Sequence, residues 1–220
     1  MRKIIGGVFQ SLDNVMQSPG GPSEDWTGGF DLGGWVWPFF DEEGGEAINA
    51  LFGGPYDLLL GRKTYDIFAA YWPYVTGEAA AMGEAFTRAG KYVLTHGDAP
   101  LDWENSHRLA NIDAVAALKQ SNGPDLIIQG SSTIYPALLE AGLLDRLQLM
   151  TFPVLLGGGK RLFGDGTPPG ATKLVDHKVT PSGVVIANYE PAGPVPTGSF
   201  AAGEPSEREQ ARQQQMKRDG

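Results

Sequence analysis

Two segments constrain this chain more than any other feature, because each sets a buried strand, a glycine and then basic or small hydroxyl residues at the head of a helix. They are Leu60-Gly61-Arg62-Lys63-Thr64-Tyr65 and Ile128-Gln129-Gly130-Ser131-Ser132-Thr133-Ile134-Tyr135. Glycine lets the backbone come close to a ligand. The unpaired N–H groups of the helix start then face that ligand with partial positive charge. Arg62 and Lys63 add cations that can pair with phosphate oxygens. A lone turn of this kind reads as ordinary capping, since Ser and Thr are common N-caps. Two of them, in separate strand–helix units, point to a diphosphate ligand.

The surrounding pattern supplies the scaffold. Short apolar runs at 4–9, 57–60, 91–95 and 125–129 read as buried strands, and 47–52, 63–70, 113–119 and 131–141 read as helices. Asp41, Glu42 and Glu43 precede the first helix, where the helix dipole favours acids. Asp113 is the expected N-cap of the third. From residue 147 the pattern turns β-rich. Strands are expected at 147–152, 172–176 and 184–189, the last two joined by the turn Thr180-Pro181-Ser182-Gly183. Alternating strands and helices with a β-rich finish define an α/β class with a central, mostly parallel sheet, flanking helices and a C-terminal antiparallel hairpin. Residues 1–192 are expected to form one domain, and 193–220 a polar tail that is disordered or a solvated helix.

Residues 13–34 form a long Gly- and Pro-rich loop, and loops of this length in a compact domain are usually functional. Trp26, Trp35, Trp37, Phe39 and Phe40 lie in it or just beyond it. Each reads first as core, with the lining of a pocket for a flat ligand as the alternative.

Several functions are excluded. There is no cysteine, hence no disulfide, iron–sulfur cluster or thiolate zinc site. His96, His107 and His177 have no metal-ligand spacing and read as ordinary residues. Gly157-Gly158-Gly159-Lys160 fails as a P-loop because Arg161 follows and Val154 stands at the first glycine. No dinucleotide fingerprint follows the first strand, and no nucleophile elbow is present. A formal net charge of −9 argues against nucleic acid. No run of about 20 apolar residues offers a membrane span, and the N-terminal apolar run is too short for a signal peptide. A cytoplasmic location is the default expectation.

The ordered set Phe9-Gln10-Ser11-Leu12-Asp13-Asn14-Val15, Leu60 to Tyr65, Ile128 to Ser132 and Pro153 to Phe163 resembles the dihydrofolate-reductase-like superfamily. Within it, the resemblance is to the branch that shares its domain with the C-terminal reductase of riboflavin-biosynthesis enzymes, the RibD C-terminal domain. It runs from about residue 2 to residue 190. It implies an NADPH-dependent oxidoreductase, with NADH as the alternative donor, acting on a small-molecule substrate, and frequent homodimers. Position by position, Gly61, Arg62, Lys63 and Thr64 match the turn at the pyrophosphate and adenosine phosphate. Gly130, Ser131, Ser132 and Thr133, with Tyr135 just beyond, match the second turn. Leu94, Thr95 and His96 match the strand end beside the 2′-phosphate. Val8, Asp13, Asn14, Val15 and Met16 match the first strand and the loop over the nicotinamide. Close relatives often carry Arg where this chain has His96, and dihydrofolate reductases have Gly-Gly where it has Gln129-Gly130.

Hydride transfer chiefly needs positioning, because the cofactor carries the chemistry. Reducing a C=N or C=O bond also consumes a proton, and a buried carboxylic acid can relay it. The expected candidates are Asp41, Asp13 and Glu42, with helix-dipole complementation as the alternative role for the acids at 41–43. The aromatic-lined loop suits a heteroaromatic or sugar-derived substrate better than folate. A non-catalytic NADP(H)-binding or regulatory dimer is the alternative function.

Overall fold

The computed structural model describes residues 1–200 and 203–219. The chain runs β1 (Ile4–Ser11), α1 (Glu42–Leu51), β2 (Tyr56–Gly61), α2 (Arg62–Tyr71), α3 (Ala80–Arg88), β3 (Lys91–Leu94), β4 (Ser106–Leu109) and α4 (Ile112–Gln120). It continues with β5 (Asp125–Gln129), α5 (Tyr135–Glu140), β6 (Arg146–Phe152), β7 (Thr172–Val179), β8 (Val185–Pro191) and α6 (Glu207–Asp219). The eight strands form one sheet in the order β4-β3-β2-β5-β1-β6-β8-β7. The first six strands pair in parallel, while β8 and β7 join antiparallel.

Both faces of the parallel part are covered, which is why its strands read as unbroken apolar runs rather than alternating ones. In β2, Leu59 packs with Ile4, Val8, Leu126 and Ile128 against Val115 of α4 and Leu138 of α5. Its neighbours Leu58 and Leu60 face the other way, into a cluster with Tyr65 of α2, Phe86 of α3, Val93 and Trp103. On that second face, over β1, β6 and β8, the segment before α1 contributes Phe30, Trp35 and Val36 beside Met150, Phe152 and Ile186.

The sheet centre demands small residues. A side-chain carbon on Gly6 would stand 2.7 Å from the Tyr135 hydroxyl and 2.9 Å from Cδ1 of Leu147. Tyr135 is fully buried beneath this glycine.

Four sequence expectations change. β4 and α3 were not expected: β4 is the four-residue edge strand Ser-His-Arg-Leu with only Leu109 buried. Asn111 rather than Asp113 caps α4, its Oδ1 accepting from Ala114 N at 3.0 Å. The helix expected from Ser131 begins as a 3-10 turn at Ser132–Ile134 and becomes α-helical only at Tyr135. Of the loop aromatics, Trp35 is buried, but Trp26 and Trp37 are exposed (66% and 67%) and are not core. The tail carries α6, with no buried residue.

Gly6→Ala is expected to lower stability by about 1–3 kcal/mol through overpacking against Tyr135. Gly45→Ala, in α1 with open space around it, should be neutral or stabilising by about 0.5–1 kcal/mol. Denaturant unfolding of both variants checks this, and a Gly6→Ala protein as stable as the parent would contradict the packing.

Candidate functional site

The six parallel strands all end on one edge of the sheet, where ligands of open α/β sheets bind. β2 and β5 are neighbours in the sheet, so the two glycine turns emerge side by side. They also interlock. The Gly61 amide donates to Ser131 Oγ at 2.9 Å, and the Ser131 amide donates to Thr64 Oγ1 at 3.0 Å. Ser131 can take this place because Gly130 and Ser131 both adopt left-handed backbone (φ +76° and +60°). Gly130 also has Thr64 Cγ2 3.3 Å from where its own side chain would start. The sequence-predicted residues Gly61, Thr64, Gly130 and Ser131 thus form one unit.

The helix that leaves this unit is open at its start. α1 is capped by Asp41 and α4 by Asn111, whereas Gly61 offers α2 no side-chain cap. Its first-turn amides, with Lys63 and Thr64 on the same turn, form an anion-friendly surface. Gln129 at the end of β5 and Gln10 on β1 each carry a buried Oε1 without a partner, on opposite faces of the sheet.

The other predicted cofactor residues are placed differently. Arg62 reaches sideways, donating to the Ala99 and Pro100 carbonyls at 2.8 and 2.9 Å and pairing with Asp66. The segment it holds follows Leu94, Thr95 and the exposed His96. Arg108 on β4 grips the same segment through the Gly97 and Ala99 carbonyls. Arg108 was not singled out from sequence, because β4 itself was not recognised. Ser132 and Thr133 continue the second turn. Val8, Val15 and Tyr135 are core residues (2%, 0% and 0% exposed), so their side chains line no open cleft. Asn14 and Val15 are held by the segment after β6: Val15 bridges Arg161, and Asn14 Nδ2 donates to the Phe163 carbonyl at 3.0 Å. Met16 is buried beside them.

The expected proton relays also receive other roles. Asp41 accepts from Gly44 N at 3.0 Å and from Ser182 N at 3.1 Å. These bonds, the Gly44 amide first, hold its carboxyl well below the usual range. Its partner Ser182 lies on the turn into β8, three strands from β5, roughly 14 Å at about 4.8 Å per strand. Asp41 is a helix cap and a tie to the hairpin. Glu42 is exposed on the same helix start. Asp13 accepts from Ser11 Oγ, Leu156 N and Gly157 N at 2.6, 3.0 and 2.7 Å. With the Ser11 hydroxyl contributing most, its pKa falls to about 2. It therefore fastens the loop after β1 to the loop after β6. Glu24, not singled out from sequence, is pushed upward by burial even though Gly20 N donates to it at 2.7 Å.

Sequence reasoning also missed an ionic cluster above the first turn. Lys63 and Lys160 both pair with Asp25, at 2.9 and 2.6 Å. Beside it opens a cleft of about 390 Å³ between residues 27–32 and 158–160. No single segment signals this cluster, because Asp25 and Lys160 are 135 residues apart.

This site sits in a recognisable family. Residues 2–186 match the RibD C-terminal domain, and the chain belongs to that family. It is 29% identical over 135 residues to the protein YyaP of Bacillus subtilis (strain 168), named as uncharacterized, covering 60% of this chain and 72% of that one. Its fold resembles a "Putative riboflavin biosynthesis protein" from Shewanella sp. PV-4 with TM-score 0.63 and 21% identity, covering 86% of this chain and 99% of that chain. It also resembles the Thermotoga maritima diaminohydroxyphosphoribosylaminopyrimidine deaminase/5-amino-6-(5-phosphoribosylamino)uracil reductase with TM-score 0.56 and 11% identity. The match covers 87% of this chain and 57% of that one. The architecture is therefore that of the reductase-like proteins of riboflavin biosynthesis.

Asp13 gives a pH test of the site's framework. Its folded pKa lies below its ordinary 3.8, so its stabilising contribution is complete above that value and is lost as pH falls toward about 2. Asp13→Asn should flatten the acid limb of the stability–pH curve over this window, read by thermal unfolding. An unchanged acid limb would contradict the bonds assigned to Asp13.

Proposed function

We propose that the chain is an NADPH-dependent reductase that passes a hydride to a C=N or C=O bond of a small heteroaromatic or sugar-derived substrate. One observation carries this reading: the interlocked turns set the uncapped start of α2 beside the second turn at the C-terminal edge of the sheet. The donor set suits a dinucleotide. The α2 amides, Lys63, Thr64, Ser132 and Thr133 are suited to a diphosphate. The bound dinucleotide would supply the hydride; the protein supplies position and charge.

Arg62 and Arg108 favour the phosphorylated dinucleotide. Both guanidiniums flank the segment that begins at His96; Arg108 is spent on backbone carbonyls, and Arg62 on backbone carbonyls and Asp66. A 2′-phosphate arriving there would exchange the neutral acceptors of Arg108 for a charged one, a bond roughly twice as strong. The cations missing at His96 are thereby supplied from α2 and β4.

A dinucleotide-binding protein without turnover is the second reading, favoured by the hydrogen bonds that commit Asp13 and Asp41 to loop and helix-cap positions. Titration of the wild type and Arg108→Ala with NADPH and with NADH tests the cofactor. NADPH should bind more tightly to the wild type, and Arg108→Ala should weaken NADPH by about tenfold or more, the loss of roughly 1.5–3 kcal/mol for a charged bond, while leaving NADH nearly unchanged. Equal losses for both would contradict the 2′-phosphate assignment. Oxidation of NADPH by a panel of pyrimidine ribosyl compounds, dihydropterins and carbonyls then separates reductase from binder.

A further inference from the structure

The lysine of the first turn already holds an anion, and that anion comes from the long loop. Lys63 pairs with Oδ1 of Asp25 and Lys160 with Oδ2. Thr27 Oγ1 accepts from both ammoniums at 2.7 and 3.0 Å and donates to Asp25 Oδ1 at 2.6 Å. The Asp25 side chain is only 8% exposed. Gln17 fixes the same segment from beneath, its amide nitrogen donating to the carbonyls of Asp25 and Thr27, both at 2.9 Å. Gly28, Gly29 and Gly34 follow with φ of +74°, +77° and +85°, so the loop turns through backbone that only glycine adopts freely.

We propose that Asp25 is a built-in latch: it occupies Lys63 in the ligand-free protein, and a phosphate-bearing ligand must displace it from that lysine, loosening residues 25–27 while Lys160 and Gln17 keep their hold on them. The inference rests on the diphosphate role proposed for the first turn and adds the regulation of that site. Charge makes the exchange feasible. The cluster holds two ammoniums and one carboxylate, so a phosphate that takes Lys63 leaves Asp25 still paired with Lys160. No buried charge is stranded, and stranding one is what makes breaking such pairs expensive. A binding-competent state that is only partly populated weakens apparent affinity by its fraction. The latch therefore lowers affinity for the dinucleotide.

Asp25→Asn keeps the shape and the Gln17 bonds but removes the charge. Hydrogen exchange of residues 20–29 in the ligand-free proteins should be faster in Asp25→Asn than in the wild type. NADPH should bind Asp25→Asn several-fold more tightly than the wild type. Lys160→Gln, which leaves Asp25 to Lys63 alone, should bind NADPH several-fold more weakly. NADPH should also speed exchange of residues 25–27, the stretch that contacts Lys63, in the wild type. Unchanged or weaker NADPH binding by Asp25→Asn overturns the latch and makes Asp25 a residue that positions the cofactor. If no variant binds NADPH, the function proposed above is overturned, and the latch is judged by the ligand-free proteins, where equal exchange rates overturn it.

Discussion

The two hydrogen bonds between the glycine turns hold this site together. Gly61 N to Ser131 Oγ and Ser131 N to Thr64 Oγ1 join β2–α2 to β5–α5 at the edge of the sheet. Gly61 is buried, so its amide without the Ser131 hydroxyl would be an unsatisfied donor, at about 1–3 kcal/mol. The bonds also decide which groups remain available. They consume the Gly61 and Ser131 amides and leave the α2 first turn facing outward. An arrangement that looks like two separate anion sites in the sequence is one surface in the structure.

The sheet explains why those turns can be close. Parallel strands buried on both faces leave their ends as the one place where loops converge. Gly6 at the centre admits Tyr135 from the α5 side, and this keeps α5 tight against the sheet behind the second turn. Small residues in β1 and left-handed backbone at Gly130 and Ser131 are therefore parts of one packing solution.

Much of this was legible in the sequence, for identifiable reasons. Leu58-Leu59-Leu60 and Leu126-Ile127-Ile128 announce buried parallel strands because both faces must be apolar. The two turns announce themselves by glycine and hydroxyl placement. β4 was not legible because an edge strand needs little apolar surface, and Ser-His-Arg-Leu has little. The roles of the acids were not legible either. An aspartate before a helix has the same local sequence whether it caps or donates protons, and the bond from Ser182, 141 residues away, adds a tie that no local pattern announces. Likewise Arg108 and the Asp25–Lys63–Lys160 cluster exist only after long-range folding. Ordinary local signals locate the scaffold, and long-range ion pairs tune it.

The central claim is that the interlocked turns, and not the cleft between residues 27–32 and 158–160, receive the cofactor's phosphates. Backbone amide chemical shifts recorded while NADPH is added test it most directly. The account predicts saturable shifts concentrated at Arg62, Lys63, Thr64, Ser132 and Thr133. Shifts confined to Gly28–Leu32 and Gly158–Lys160, or no saturable shift at the turns, would contradict it.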